Sequence, residues 1–499
     1  MGVIIRQSIK ATASNYIGTL LGFLSLFLLF PLFFEPTDLG AVRFLLEAAA
    51  VLSTFALMGT HYSINRFFPY FKTEDRRNHG FFFWVFVLPA TGYLLVLAGL
   101  LFFREPLLAL FRMDAQKLET LFPMLILLVL FSLFQVVTES ASANHGRIAV
   151  PNFLREIFIR VCLIAAGFAF FRGWIDFQTA LWLMVAAYGL AVAGNILFLS
   201  RLTPIHLKPD FKFLKAHPEL RKEMLRFTGF LFLGGVTGLI ISKLDFLMIT
   251  SMKQLSDTAI YSIGFYLAML IEIPKRTLLQ VSAPIISSHM KEGNMQEVQD
   301  LYRRTTLNQL LAGATLFYLI WLNIDNLYDV MPRGDYYRSG KMVVLILGVG
   351  RLFDLLGSSS GPVLANSKYY AWTFVNFGIV AVLAVLGNYL LIPLYGITGA
   401  AMATSLTIMV NHILVIYITW LKLGIHPFDR GQLRLLLIMI PMFALTLIPY
   451  RLENPFLNGV LRTGTAGLLF VYLLYAFRVS YDMNDMLKRS LNRFGIRLK

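Results

Sequence analysis

RLTPIHLKPDFKFLKAHPELRKEMLR, residues 201–226, carries seven Lys and Arg side chains among scattered Phe and Leu. Apolar segments flank it at 177–199 and 227–250. Each is long enough, at about 1.5 Å per residue, to cross a hydrocarbon core of about 30 Å. A basic stretch studded with apolar residues between two such segments reads as a cytoplasmic connection lying along lipid headgroups. The chain on either side then reads as two membrane-embedded halves.

Composition supports this. Of 499 residues, 57% are apolar, 14% aromatic and only 14% charged. A soluble chain needs roughly a quarter charged residues to dress its surface, so a cytosolic globular enzyme is excluded. A disulfide scaffold is excluded too, because Cys162 is the single cysteine. The net charge of +16 would suggest nucleic acid in a soluble protein, but here it matches the Lys and Arg that collect in cytoplasmic loops. No nucleic-acid partner is expected. The first apolar run ends in FFEP rather than a small-residue cleavage site, so it reads as a retained span.

Walking outward from the linker predicts an all-α polytopic membrane protein of about 14 transmembrane helices. The first six spans are read at 13–34, 39–64, 80–103, 118–142, 153–171 and 177–199. Six more follow at 227–250, 258–281, 306–327, 342–365, 372–392 and 398–421, then two at 433–448 and 459–477. Lys and Arg counted on alternate sides fall about three to one, which places both termini in the cytoplasm and requires an even number of spans. In the tail, Met483, Leu487, Leu491 and Phe494 form one helical stripe beside Lys488, Arg489 and Arg493. Such a helix suits anionic lipids at the cytoplasmic face.

An internal repeat sets the organisation. Thr37-Asp38 matches Ser256-Asp257, the AN pair at Ala143-Asn144 matches Ala365-Asn366, and Ile205-His206 matches Ile425-His426-Pro427, each offset by about 220 residues. The predicted division is residues 1–200 as an N-lobe of helices 1–6, 201–226 as a basic linker, and 227–422 as a C-lobe of helices 7–12. Residues 423–478 then hold helices 13 and 14, and 479–499 form a basic amphipathic tail. Parallel repeats of this kind are a transporter signature, with the substrate site between the halves.

Ionisable groups in hydrocarbon cost several kcal/mol and need a partner or a task. The intramembrane set is Arg43 and Glu47, Glu156 and Arg160, Lys243 and Asp245, Glu272 with Lys275 and Arg276, and Arg351 with Asp354. Most are spaced i,i+3 or i,i+4 and could neutralise each other on one helix face. Two features favour a working site. Span eight sets two cations against one anion beside Pro274, which frees a backbone carbonyl, and Arg351 and the Glu272–Arg276 group fall near mid-span. The excess cation suits an anionic headgroup, because guanidinium forks and ammonium groups match phosphate oxygens.

Other chemistry finds little support. The eight histidines show no ligand spacing, so no metal site is expected; there is no Walker sequence and no cofactor motif. The run Gly357-Ser358-Ser359-Ser360-Gly361 reads as a small-residue helix contact rather than a phosphate cradle.

Three segments carry a family resemblance: IYSIGFYLAMLIEIPKRTLLQVSAPIIS (260–287), LILGVGRLFDLLGSSSGPVLANSKYY (345–370) and NYLLIPLYGITGAAMATS (388–405). With FPLFFEPTDLGAVRFL and NRFFPYF near the N-terminus, they resemble polysaccharide flippases of the multidrug/oligosaccharidyl-lipid/polysaccharide (MOP) exporter superfamily. The resemblance implies a V-shaped pair of six-helix lobes, MATE-like, alternately open to each side. It also implies transport rather than enzyme chemistry. Such a protein moves a polyprenyl-diphosphate-linked oligosaccharide from the cytoplasmic to the periplasmic leaflet of the bacterial inner membrane, for O-antigen, capsule or exopolysaccharide assembly. The diphosphate-holding role falls on Arg43, Arg160, Lys243, Lys275, Arg276 and Arg351. Glu47, Asp245, Glu272 and Asp354 are candidate ion-coupling groups, and polysaccharide polymerase machinery is a candidate partner. A lipid II flippase, a MATE-type drug or cation exporter, a lipid scramblase and a membrane-embedded glycan polymerase or ligase are the alternatives.

Overall fold

The computed structural model describes residues 2–73, 77–110, 115–446, 454–480 and 483–485. The amphipathic tail expected over 479–499 falls largely outside the described residues. Among the described residues all regular structure is helical. The chain packs as two compact units, Met1–Ser262 and Ile263–Lys499. The division falls inside the helix Leu255–Met269, later than the basic linker.

In the first unit the helix Pro36–Leu57 is the packing centre. Extended backbone at Phe34 and Glu35 ends the preceding helix. Pro36 at the first turn and Asp38 just after it start the next. The new helix packs on Phe81–Phe102, Ala115–Ala143 and Pro218–Met252. The approaches are close enough that a Cβ on Gly40 would overlap the Leu255 carbonyl, and one on Gly92 the Ala56 carbonyl. The expected span 39–64 stops at Leu57, because Met58 and Gly59 turn left-handed (φ 48° and 75°). Thr60–Phe71 is a separate helix.

The basic linker folds onto this unit. Its extended start leads to the short helix Phe211–Ala216, capped by Asp210, whose carboxylate accepts from the Phe213 N–H at 3.1 Å. Phe213 stacks on His79 with ring centroids 4.1 Å apart. Leu214, Leu220 and Met224 join a core of Phe67, Phe68, Phe71 and Phe81. These linker side chains are therefore held by protein, where the sequence suggested headgroups.

In the second unit the expected span 258–281 is not one helix. A 3₁₀ turn, Leu270–Glu272, separates Leu255–Met269 from Ile273–Glu292. Pro274 stands in the first turn of the latter, where its missing N–H costs nothing. The expected span 342–365 is also broken, into Lys341–Gly357 and Ser360–Ala365. The small-residue run at this break is a packing element: Ser358 donates to the side-chain oxygen of Gln309, and Ser360 bonds the Tyr302 hydroxyl.

Trp372–Leu423 is a 52-residue helical stretch, about 78 Å at full extension and more than twice a membrane's hydrocarbon thickness. Gly396, at φ 60° and ψ −137°, breaks it. The two arms return against each other: Gly399 abuts the Leu391 carbonyl, and the Asn376 amide donates to Asn411 at 2.6 Å. It is a helical hairpin and covers both spans expected over 372–421.

Among the described residues nine helices are long and apolar enough to cross a membrane, ten if the segments Pro218–Leu239 and Lys243–Met252, bent by 53°, are one span. The difference from 14 has physical causes. The hairpin counts once, the expected fifth span carries three charges, Arg155, Glu156 and Arg160, the tenth is broken as above, and Arg430–Thr446 has only 17 residues. The hairpin and Pro455–Ala476 leave large apolar side chains exposed, Leu394 and Leu468 at 73% and 75%. Lipid is the solvent such surfaces require. The protein is an all-helical, multi-pass membrane protein.

Candidate functional site

Each unit buries a cluster of charges built across helices. In the first, Arg43 and Glu47 lie one turn apart on Pro36–Leu57, and the Arg43 guanidinium donates to one Glu47 oxygen. Lys243, on the last stretch of Pro218–Met252, takes the other oxygen at 2.5 Å. Two residues on, Asp245 accepts from the Tyr261 hydroxyl. The Phe246 ring lies 5.6 Å from the Arg43 guanidinium and 5.8 Å from the Lys243 ammonium. Arg43, Glu47 and Asp245 are 6%, 3% and 1% exposed. Both cations thus converge on one buried carboxylate, Glu47, and buried charges are tolerable only when they are matched.

The second expected group of this unit, Glu156 and Arg160, also pairs along its own helix, at 3.0 Å. It is pressed into a glycine notch of the first helix. A Cβ on Gly18 would strike Glu156, one on Gly22 would strike the Arg160 guanidinium, and Arg160 donates to the Gly18 carbonyl. Arg155 joins Glu156 to Glu139, at 3.0 Å and 2.5 Å. Glu139 was not among the sequence candidates.

In the second unit the pairs suggested by spacing exchange partners. Arg351 bonds Glu272, on the 3₁₀ turn, rather than Asp354 on its own helix. Lys275 reaches Asp354 at 2.5 Å, rather than Glu272. His412, on the second arm of the hairpin, donates from Nε2 to the other Asp354 oxygen at 2.7 Å. The Phe265 ring lies 5.3 Å from the Arg351 guanidinium. Arg351 and Asp354 are 8% and 6% exposed. The break at Leu270–Glu272 matters here, because it turns Glu272 and Lys275 toward the helix Lys341–Gly357 together. Gly357 matters equally: a Cβ there would overlap the His412 ring.

Lys275, Arg351, Glu272 and Asp354 are therefore brought together, as are Arg43, Lys243 and Glu47; Asp245 bonds Tyr261, and Arg160 stands in a third group. The backbone of Arg276 lies in Ile273–Glu292, but its side chain lies outside the described residues. The sequence missed His412, Tyr261 and Glu139. No local spacing marks His412, which stands 58 positions from the carboxylate it binds. Chemically, each cluster stores cations inside the membrane with a carboxylate holding every one. An incoming anion can replace those carboxylates as partner.

Comparisons with known proteins agree with this architecture. The model of the family described as "Polysaccharide biosynthesis protein" matches residues 4–290. The probable low-salt glycan biosynthesis flippase Agl15 of Haloferax volcanii is 20% identical over 269 residues, 54% of this chain and 54% of that protein. The chain thus matches about half the length of that curated relative. The structure of lipid II flippase MurJ in an inward closed conformation aligns with a TM-score of 0.68 at 13% identity, covering 95% of this chain and all of that one. An inward-facing MATE multidrug resistance transporter of the MOP superfamily gives 0.59 at 13% identity, over 83% of this chain and 98% of that one. The two structural likenesses establish that the chain shares the fold of those proteins. With its family model matched over more than half its length, the chain belongs to the polysaccharide biosynthesis protein family.

Proposed function

We propose that the protein is a flippase. It moves a polyprenyl-diphosphate-linked oligosaccharide from the cytoplasmic to the periplasmic leaflet of a bacterial inner membrane by alternating access, for O-antigen, capsule or exopolysaccharide assembly. In this reading both termini are cytoplasmic, residues 1–200 and 227–422 are the two repeated halves, and the chain transports without catalysing a reaction. The polysaccharide polymerase machinery would take the delivered lipid.

The observation that carries the proposal is the cross-helix network of Arg351, Glu272, Lys275, Asp354 and His412. Moving a bare diphosphate into hydrocarbon costs on the order of 20 kcal/mol per charge by Born reasoning. Cations kept ready by carboxylates remove much of that cost. On arrival the diphosphate takes Arg351, Lys275 and Arg276 as partners, with Arg43, Lys243 and Arg160 serving the same chemistry in the first unit. Displaced Glu272 and Asp354, like Glu47 and Asp245, then become sites where a proton or sodium ion can neutralise charge. An inside-negative potential favours outward movement of an anion by about 2.3 kcal/mol per charge per 100 mV.

A lipid II flippase shares the diphosphate and would use the same network. A cation exporter on this fold would need the carboxylates to outnumber the cations, and in these clusters they do not. The test is complementation of a deletion strain with Arg276→Ala or with the charge-matched double variant Arg351→Met/Glu272→Leu. Lipid-linked oligosaccharide should build up on the inner leaflet at normal protein levels; normal surface polysaccharide in both would overturn the reading.

A further inference from the structure

At one end of the second unit three helices meet around a polar hollow that takes no part in the ion network. Asp300, Arg303, Arg304 and Asn308 line it from Met295–Leu322, and Asp429 from the turn before Arg430–Thr446. Ser480 closes it from the segment after Pro455–Ala476, and the space is about 340 Å³.

Local contacts fix its walls. A Cβ on Gly431 would overlap the Val479 carbonyl and the Leu307 side chain, so glycine lets the start of Arg430–Thr446 close on both. The Gln432 side chain accepts from the Asp429 N–H at 3.0 Å and donates to the Pro427 carbonyl at 2.7 Å, which holds the turn carrying Asp429. Arg303 donates to His426 Nε2 at 3.2 Å, and the Ser480 hydroxyl donates to the Asn308 side chain at 3.2 Å.

The charges are unusual. Asp300 and Arg304 stand i,i+4 on one helix, the spacing at which opposite charges meet. Among the described residues, however, no ion pair joins Asp300 or Asp429 to Arg303 or Arg304. Two carboxylates and two guanidiniums therefore surround one space and leave it with no net charge. A simple anion would meet both carboxylates as like charges, and a simple cation would meet both guanidiniums. A zwitterion answers all four.

The surroundings say what kind of zwitterion. Met295–Leu322 and Pro455–Ala476 are both long and apolar enough to cross a membrane. Arg430, Arg434 and Arg478 crowd this end of them, and Arg434 donates to the Phe477 and Arg478 carbonyls at 3.3 Å and 3.0 Å. A basic end on apolar helices marks the headgroup layer. From Asp429 the helix Arg430–Thr446 leads away with Leu433, Leu437 and Ile440 on one stripe, 59%, 60% and 62% exposed. The occupant thus has a zwitterionic head and an apolar body.

We infer that the hollow holds the headgroup of a resident phosphatidylethanolamine. Its phosphate meets Arg303 and Arg304, its ammonium meets Asp300 and Asp429, and its acyl chains lie along Leu433, Leu437 and Ile440. An ammonium offers three N–H donors to the carboxylates, as a lysine does. A choline headgroup offers none, and a glycerol headgroup brings no positive charge. The lipid joins Met295–Leu322 to the start of Arg430–Thr446 as part of the fold and is not cargo, so the inference stands apart from the flippase reading.

The test uses the full chain in detergent with equal amounts of phosphatidylethanolamine, phosphatidylcholine and phosphatidylglycerol, and retained lipid is read by native mass spectrometry. The wild type should retain phosphatidylethanolamine over the other two by about tenfold, the worth of one charge-assisted hydrogen bond. Asp300→Asn/Asp429→Asn should lose that preference and retain more phosphatidylglycerol, because the guanidiniums then face no opposing carboxylate. Arg304→Gln should lower retention of all three lipids. Arg430→Gln, which removes a basic side chain outside the hollow, should change nothing. Thermal unfolding checks each fold, and Asp300→Asn alone, at an exposed site, replaces the double variant if that one fails. Equal retention of the three lipids by the wild type, or an unchanged order in the double variant, would overturn the proposal and leave a general lipid surface. Displacement of phosphatidylethanolamine by an equal concentration of free phosphoethanolamine would also overturn it, because the acyl chains would then play no part.

Discussion

Arg351 binds Glu272 across two helices, although Asp354 lies three residues further along its own helix. That choice frees Asp354 for Lys275 and His412. Four charges and a histidine on four helical segments become one network.

Because the pair is buried, removing one partner should hurt more than removing both. Arg351→Met should destabilise the protein by about 3–5 kcal/mol, leaving Glu272 as an unmatched charge. Adding Glu272→Leu should restore most of that loss. Thermal unfolding in detergent checks both, and equal stabilities for the single and double variants would argue against a matched pair.

Gly357 should matter through His412. A methyl group there displaces the imidazole from Asp354, so Gly357→Ala should cost about 1–3 kcal/mol, as overpacking does. His412→Ala removes the obstruction, so the two changes combined should cost clearly less than their sum. Additive losses in the unfolding measurements would show that the contact is unimportant.

Gly40 makes a harsher case. The atom a side chain would meet is the Leu255 carbonyl, and backbone cannot swing aside as a side chain tip can. Gly40→Ala should therefore lower stability by at least about 1–3 kcal/mol, while Gly99→Ala, with open space around it, should change it by less than about 0.5 kcal/mol.

The linker carries a pH signature. Hydrogen bonds from His79 and from the Phe213 N–H hold the Asp210 carboxyl below its usual range. The native state then binds fewer protons than the unfolded one, so this contribution is complete above the unfolded value of about 3.9. It fades as pH falls through the lower folded value. Asp210→Asn should flatten the stability profile between about pH 5 and 2, by a small amount because both partners are well exposed. An unchanged profile would mean the bonds are absent in solution.

Much of the fold was legible because lipid imposes long apolar runs, and such runs survive in sequence whatever they pack against. The charged residues were legible for the same reason: Arg43, Glu47, Lys275 and Arg351 stand out against hydrocarbon. Their partners were less so. Spacing along a helix predicts Arg43–Glu47 correctly, since both lie on one uninterrupted helix. It fails for Glu272 and Lys275, where a 3₁₀ turn re-aims the side chains. His412 was silent because nothing local distinguishes it; its role depends on a hairpin closing at Gly396 and a glycine at 357. The helix breaks at Met58 and at Ser358–Ser359 were hidden for a similar reason, since polarity does not change across them.

The central claim is that the Arg351–Glu272 and Lys275–Asp354 network handles the diphosphate, and not merely the fold. It is tested most directly with Arg351→Met/Glu272→Leu, the stable double variant, reconstituted in liposomes holding a fluorescent polyprenyl-diphosphate oligosaccharide. Leaflet exchange is followed under an imposed potential. The account predicts that the folded double variant loses flipping down to the rate of protein-free liposomes. Exchange at the wild-type rate would contradict it.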